Sequence, residues 1–195
     1  STPLYSSAAS DVYKRQVVDE ALTFLQRAKH VELSRLADFE VEDSFADTMT
    51  RAGKDIAGGV SDLLASAAAG YPFMVQLVGY YTWQSASRRG SSVVELSDAE
   101  KGVATARKSF DSMVIEPALR RVSGRQLEYL AAMARCGSGP VATGEVAREM
   151  GANATAVSSY RKRLMEAALI EAPSYGMVRF AIPYMCEYLL EHVGE

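Results

Sequence analysis

The residues best suited to chemistry lie late in the chain, between Asn153 and Arg179. Asn153 is a helix-capping type, and the apolar positions that follow, Val157, Tyr160 and Leu164, recur at helical spacing. At 100 degrees per residue the opposite face carries Thr155, Ser158, Ser159 and Lys162, flanked by Arg161 and Arg163. Small hydroxyls can approach phosphates and base edges closely, while Lys and Arg neutralise phosphate charge, so this pattern predicts a face for DNA. Arg179, on a later strand candidate, would add a backbone contact. An ordinary solvated helix face shows the same pattern, and so does a helix that docks protein.

No catalytic constellation is visible elsewhere. Gly53-Lys54 is the nearest approach to a phosphate-binding loop, but Asp55 stands where Ser or Thr is required and the upstream glycine is missing. His30 and His192 are far apart and lack cysteine partners, so no metal site is expected. Asp38, Glu40, Glu42 and Asp43 crowd a helix start, where carboxylates meet the positive end of the dipole. The aromatic cluster Tyr71, Phe73, Tyr80, Tyr81 and Trp83 reads as core rather than as a cofactor box.

Composition bounds the setting. The 195 residues are 48% hydrophobic with a net charge of -3, which excludes a mainly disordered chain and a protein basic throughout. The charge is uneven: residues 17–118 hold 15 acidic and 10 basic side chains, 119–165 hold 3 and 8, and 166–195 hold 5 and 1. Any nucleic-acid binding must therefore come from a local patch, and the basic excess is confined to the middle block. Two cysteines without CxxC spacing predict no disulfide framework and a reducing cytoplasm. No apolar run reaches the length of a membrane span, since Phe73 to Trp83 is short and broken by Gln76 and Gly79.

The elements that must position these residues are mainly helical. Residues 17–36 read as a short helix and a strand at His30 to Leu33. Val41, Phe45 and Met49 mark a helix from Asp38, closed near Gly53. A second is expected from about Asp55 to Ala69, with Ile56 on its inner face. Pro72 opens a third, to about Arg88, apolar nearly all round and so placed at the centre of a bundle. After the apolar piece Val93 to Leu96, Ser97 and Glu100 predict a capping box, and Pro117 bends or ends the helix it starts. Ser123 with Gln126 starts the next, carrying Leu127, Leu130, Ala131 and Ala134. A helix of about seven residues from Thr143, stopped by Gly151, and the Asn153 helix follow. Strands at Leu169 to Ala172 and Met177 to Ala181, then a helix with Tyr184, Tyr188 and Leu189, complete the order of a winged helix-turn-helix.

The first sixteen residues carry no period and resemble a translated sequencing adapter, so they read as a foreign leader; a flexible native tail is the alternative. From Val17 to about residue 192 the chain resembles the C-terminal part of prokaryotic AAA+ P-loop ATP-binding proteins related to origin-recognition and signal-transducing NTPases. The resemblance rests on Gly70-Tyr71-Pro72 and the following FMVQLVGYYTW, on Thr23 to Arg27 with Val31-Glu32-Leu33, on LEYLAAMA from Leu127, on Ser159-Tyr160-Arg161, and on the hairpin ending Val178 to Pro183.

The resemblance implies the end of an ATPase core over 17–36, a helical lid over 37–118 and a winged-helix domain over 119–195. It further implies that Gly70, Tyr71 and Pro72 pack against the adenine of ATP. Arg27 falls where some members place an arginine that senses a neighbouring subunit's γ-phosphate; a surface role is the alternative. The lid arginine of many members would fall near Phe73, where this chain has none. With the phosphate cradle and magnesium ligand in the missing core, the chain alone is expected not to hydrolyse ATP, and oligomers would form through that core. A free-standing winged-helix regulator with a helical dimerisation or sensing half is the competing expectation.

Overall fold

The computed structural model describes residues 36–193. The leader, the strand expected at His30 to Leu33, and Arg27 lie outside the described residues. Residues 35–195 cluster into one compact unit.

The N-terminal half of this unit is helical. Helix α1 (Asp38–Arg51) buries Val41, Phe45 and Met49, and its first turn is closed by Glu40, whose carboxylate accepts from the Ala37 amide at 3.2 Å. Gly53, at φ +76°, takes the left-handed conformation that ends the helix. The chain then departs from the expected helix at Asp55. Strand β1 (Asp55–Ile56) pairs in parallel with β2 (Val93–Val94), and α2 (Val60–Ala68) starts only after Gly59, at φ +80°. A non-local pairing and a left-handed glycine together take Ile56 off the helix.

Helix α3 (Pro72–Arg88) opens on its proline as expected. It seats one row, Met74, Val78, Thr82 and Ala86, in the core, but it is not buried all round: Phe73, Tyr80 and Trp83 are 38%, 55% and 40% exposed. Helix α4 (Leu96–Phe110) makes the most extensive contact with α3. Its cap is Glu95 with Asp98, not Ser97 with Glu100, because β2 ends one residue before Glu95 and Asp98 turns inward. The two helices cross so closely at Gly102 that an added Cβ would lie 2.6 Å from the Thr82 amide nitrogen. A π-helical turn (Asp111–Ile115) leads into α5 (Glu116–Leu119). Pro117 sits in the first turn of α5 rather than at the end of the run, and the backbone widens just before it, where an α-helical carbonyl would find no proline amide.

In the C-terminal half, α6 (Gly124–Cys136) starts at Ser123, whose Oγ accepts from the Gln126 amide while the Gln126 side chain accepts from the Ser123 amide. Strand β3 (Val141–Ala142), unexpected from sequence, precedes α7 (Thr143–Glu149). Asn153 caps α8 (Ala154–Glu166), accepting from the Ala156 amide at 2.8 Å. Strands β4 (Ile170–Glu171) and β5 (Met177–Phe180) form an antiparallel hairpin, and α9 (Met185–His192) follows. The sheet runs β3-β5-β4, with Val141 opposite Val178 and Ile170 opposite Phe180. The fold is thus mainly α, a helical bundle followed by further helices and a small β-hairpin. One core joins both halves, from Val41, Leu64 and Phe110 to Tyr129, Leu164, Val178 and Leu189. At the seam the Tyr184 hydroxyl donates to the Ala67 carbonyl, and the Arg107 guanidinium lies 4.4 Å from the Tyr184 ring centre.

Candidate functional site

The α8 face is built by what lies beneath it. Val157 and Leu164 are fully buried and Tyr160 is half-buried, so the helix cannot rotate, and Thr155, Ser158, Ser159, Lys162 and Arg163 are left exposed. Ser158 Oγ donates to the Thr155 carbonyl at 2.8 Å, a local bond it can exchange for a ligand. Lys162 approaches Glu166 at 3.9 Å, with both side chains largely exposed, a pairing that holds the lysine only weakly.

Arg161 departs from the expected face. It is half-buried, and its Nε is sealed from solvent without a hydrogen-bond partner. Its charge acts on the Tyr129 hydroxyl, also buried and unpartnered. Burial raises Tyr129 to about 12, and the Arg161 charge opposes that shift. Arg161 is therefore less open to a ligand than Lys162 beside it. A helical wheel could not show this, because it fixes the Cα–Cβ direction and not the fold of a long side chain.

Arg179 is also engaged: its Nε lies 2.5 Å from Glu171 Oε1 across the hairpin, where Glu171 and Arg179 are register partners. The hairpin tip is braced from below. Thr143, the first residue of α7, donates both its amide (2.9 Å) and its hydroxyl (3.0 Å) to the Gly176 carbonyl, and the Met177 amide donates to Ser174. Gly176 holds φ +76°, and Tyr175 beside it is 105% exposed, the most exposed large apolar or aromatic side chain among the described residues. Tyr175 lies in the link between the two strand candidates, where no pattern in the sequence singles it out.

The Gly70 turn is a separate locality. Ala69 and Gly70 are both left-handed, at φ +50° and +65°; the Gly70 carbonyl accepts from the Leu36 amide at 2.9 Å and the Tyr71 amide donates to Ala68. Tyr71 packs edge-on against Phe110, with ring centres 5.5 Å apart, and Tyr71 and Pro72 are half-buried. Pro72 has no amide hydrogen and that of Tyr71 is engaged, so neither residue presents a free amide donor at this turn. Ala69 also borders a cleft of about 340 Å³ shared with Arg179, Tyr184 and Glu187.

One buried ionic group the sequence did not single out lies between α3 and α4. Asp98, 1% exposed, accepts from Arg89 (2.6 Å), Ser85 (3.0 Å) and the Glu95 amide (3.1 Å). Burial pushes this carboxyl up, but the three donors together outweigh it and hold Asp98 below the usual carboxylate range. With every donor matched, the group is structural. Among the described residues no group of three His, Cys, Asp or Glu could hold a metal ion, and no helix is long and apolar enough to cross a membrane.

Residues 112–189 match a family model described as Domain of unknown function (DUF8462). No curated protein matches the chain. Among solved structures, the Thermotoga maritima RuvB Holliday junction branch migration motor is similar, as are point mutants of it, at 14% identity and a TM-score of 0.38. The match covers 84% of this chain and 50% of each of those, so the chain spans half their length. A TM-score of 0.38 is too low to carry the fold or activity of RuvB to this chain.

Proposed function

We propose that this chain is the lid, over 37–118, and the winged-helix domain, over 119–195, of an AAA+ like ATP-binding protein, and that α8 docks in a groove of duplex DNA. The observation that carries the DNA reading is the α8 face: three hydroxyls and two cations stand exposed on a helix whose opposite row is buried, within the block of the sequence where basic residues outnumber acidic ones. Thr155, Ser158 and Ser159 approach the groove, and Lys162 and Arg163 neutralise phosphates. Arg161, half-buried, and Arg179, paired with Glu171, contribute less than the sequence pattern implies.

In this reading Gly70, Tyr71 and Pro72 form an apolar wall for the adenine of ATP, and Arg27 is a further candidate contact. ATP with magnesium supplies phosphoryl-transfer energy when bound to the complete protein, whose core would hold the phosphates. Because the Gly70 turn and the hairpin share one core through Ala67 and Tyr184, lid movement would carry α8 with it. The chain alone is expected to show no ATP turnover, and measurable turnover would sink the incomplete-site reading.

The test of the DNA reading is fluorescence anisotropy of the full chain with a labelled duplex across a salt series. Binding is expected to weaken with salt, and a Lys162→Ala/Arg163→Ala double variant should reduce the slope of log K against log salt by about 2 at most. Salt-independent binding, or an unchanged slope in the variant, would reassign α8 to a protein partner.

A further inference from the structure

We infer that Tyr175 is a base-stacking residue, and that the hairpin is a probe for nucleic acid that presents an unstacked base, such as the step where duplex meets single strand. The inference rests on the DNA reading of α8 and names the substrate class within it. Three observations carry it.

The hairpin tip, Pro173-Ser174-Tyr175-Gly176, has no charge, and the hairpin's cation, Arg179, is tied to Glu171. The tip is therefore ill-suited to tracking phosphates, and its remaining recognition chemistry is an aromatic face. That face is wholly open: Tyr175 is 105% exposed, against 36–66% for the other exposed large apolar and aromatic side chains among the described residues. The tip is also held rigid, by two donors from Thr143 to the Gly176 carbonyl and by β5 pairing on both sides. With the backbone beneath it already ordered, stacking has only the Tyr175 side chain to order.

Magnitudes decide the substrate. Stacking one base on an aromatic side chain strengthens binding by about tenfold to a hundredfold. Opening an intact step in a duplex weakens it by a comparable factor. On intact duplex the two nearly cancel, and Tyr175 contributes little. Where a base is already unstacked only the gain remains, so the ring acts as a discriminator between the two kinds of DNA.

The experiment uses the full chain with two labelled duplexes of one sequence, one intact and one with a single-strand overhang whose junction base is 2-aminopurine. The expected result is about tenfold tighter binding to the junction, with a fluorescence change on the junction base. That preference should be lost in Tyr175→Ala and kept in Tyr175→Phe, with intact-duplex affinity unchanged in both. Equal affinity of the wild-type chain for the two duplexes, or a preference that survives Tyr175→Ala, overturns the inference and leaves the DNA reading standing. Loss of the preference in Tyr175→Phe as well overturns stacking in favour of a hydroxyl contact. Failure to bind either duplex overturns the DNA reading and the inference with it.

Discussion

Helices α3 and α8 each bury one row and expose another, yet they distribute polarity in opposite ways. On α3 the outward row carries the aromatics Phe73, Tyr80 and Trp83, and two polar residues point inward: Thr82 is fully buried, and Ser85 reaches Asp98. On α8 the inward row is apolar, with Val157 and Leu164, and the polar residues point out. The inward Ser85 is matched by Asp98, while the Thr82 hydroxyl is sealed without a partner, so both act on packing, whereas polar atoms facing water remain available to a ligand. The contrast predicts that substitutions around α3 change stability, and that substitutions on the α8 face change binding while stability stays put.

The largest effect is expected at the α3–α4 crossing. Gly102→Ala places a methyl against the Thr82 backbone, which cannot rotate away as a side chain end could. The helices must separate, at a cost of about 3 kcal/mol, the upper part of the overpacking range. For a unit of this size the melting temperature should fall by roughly 6–12 °C, measured by calorimetry or circular dichroism. A fall under about 2 °C would show that the crossing is loose.

Next comes Arg89→Ala, which leaves Asp98 buried with two of its three donors. Arg89 is 39% exposed, so the figure for a wholly buried pair is discounted to about 1–3 kcal/mol. The pH dependence has a definite sign. Asp98 titrates below its ordinary value in the folded chain, so its contribution is present above about pH 3.9 and is lost as pH falls through the depressed folded value. Denaturant midpoints of wild type and variant should therefore differ most near neutrality and converge in acid. Constant separation from pH 7 to pH 3 would count against Asp98 as the origin.

How much of this was legible in the sequence follows from where each determinant lies. Helix ends set by a residue and its near neighbours were readable: Pro72 at the start of α3, Ser123 with Gln126, Asn153, and the left-handed Gly53. The β1–β2 pairing was not, because Asp55 and Ile56 meet Val93 and Val94 across 37 intervening residues and the signal is only two residues long on each side. The cap of α4 moved from Ser97 to Glu95 for a tertiary reason, the demand of Arg89 and Ser85 for Asp98. The exposed aromatics of α3 misled, since composition counts apolar residues while packing seats only one row. The face of α8 was legible from period alone, but the partial burial of Arg161 and the bracing of Tyr175 by Thr143 depend on neighbours that no local pattern names.

The comparison is sharpest within α8 itself, where the smallest stability effects should separate from the binding effects. Asn153→Ala removes the acceptor for the Ala156 amide, and loss of such a cap costs about 1 kcal/mol. It should lower the melting temperature by roughly 2–4 °C and weaken DNA binding only as far as the first turn frays. Lys162→Ala/Arg163→Ala removes two exposed cations and one weak pair with Glu166, so its stability should match wild type within about 0.5 kcal/mol. If the double variant loses salt-dependent DNA binding at unchanged melting temperature while the cap variant loses stability first, the outward face of α8 is a ligand surface on an independently stable helix. If both variants lose stability alike, Lys162 and Arg163 belong to the structure of the helix, and the polarity that sets α8 apart from α3 says nothing about a ligand.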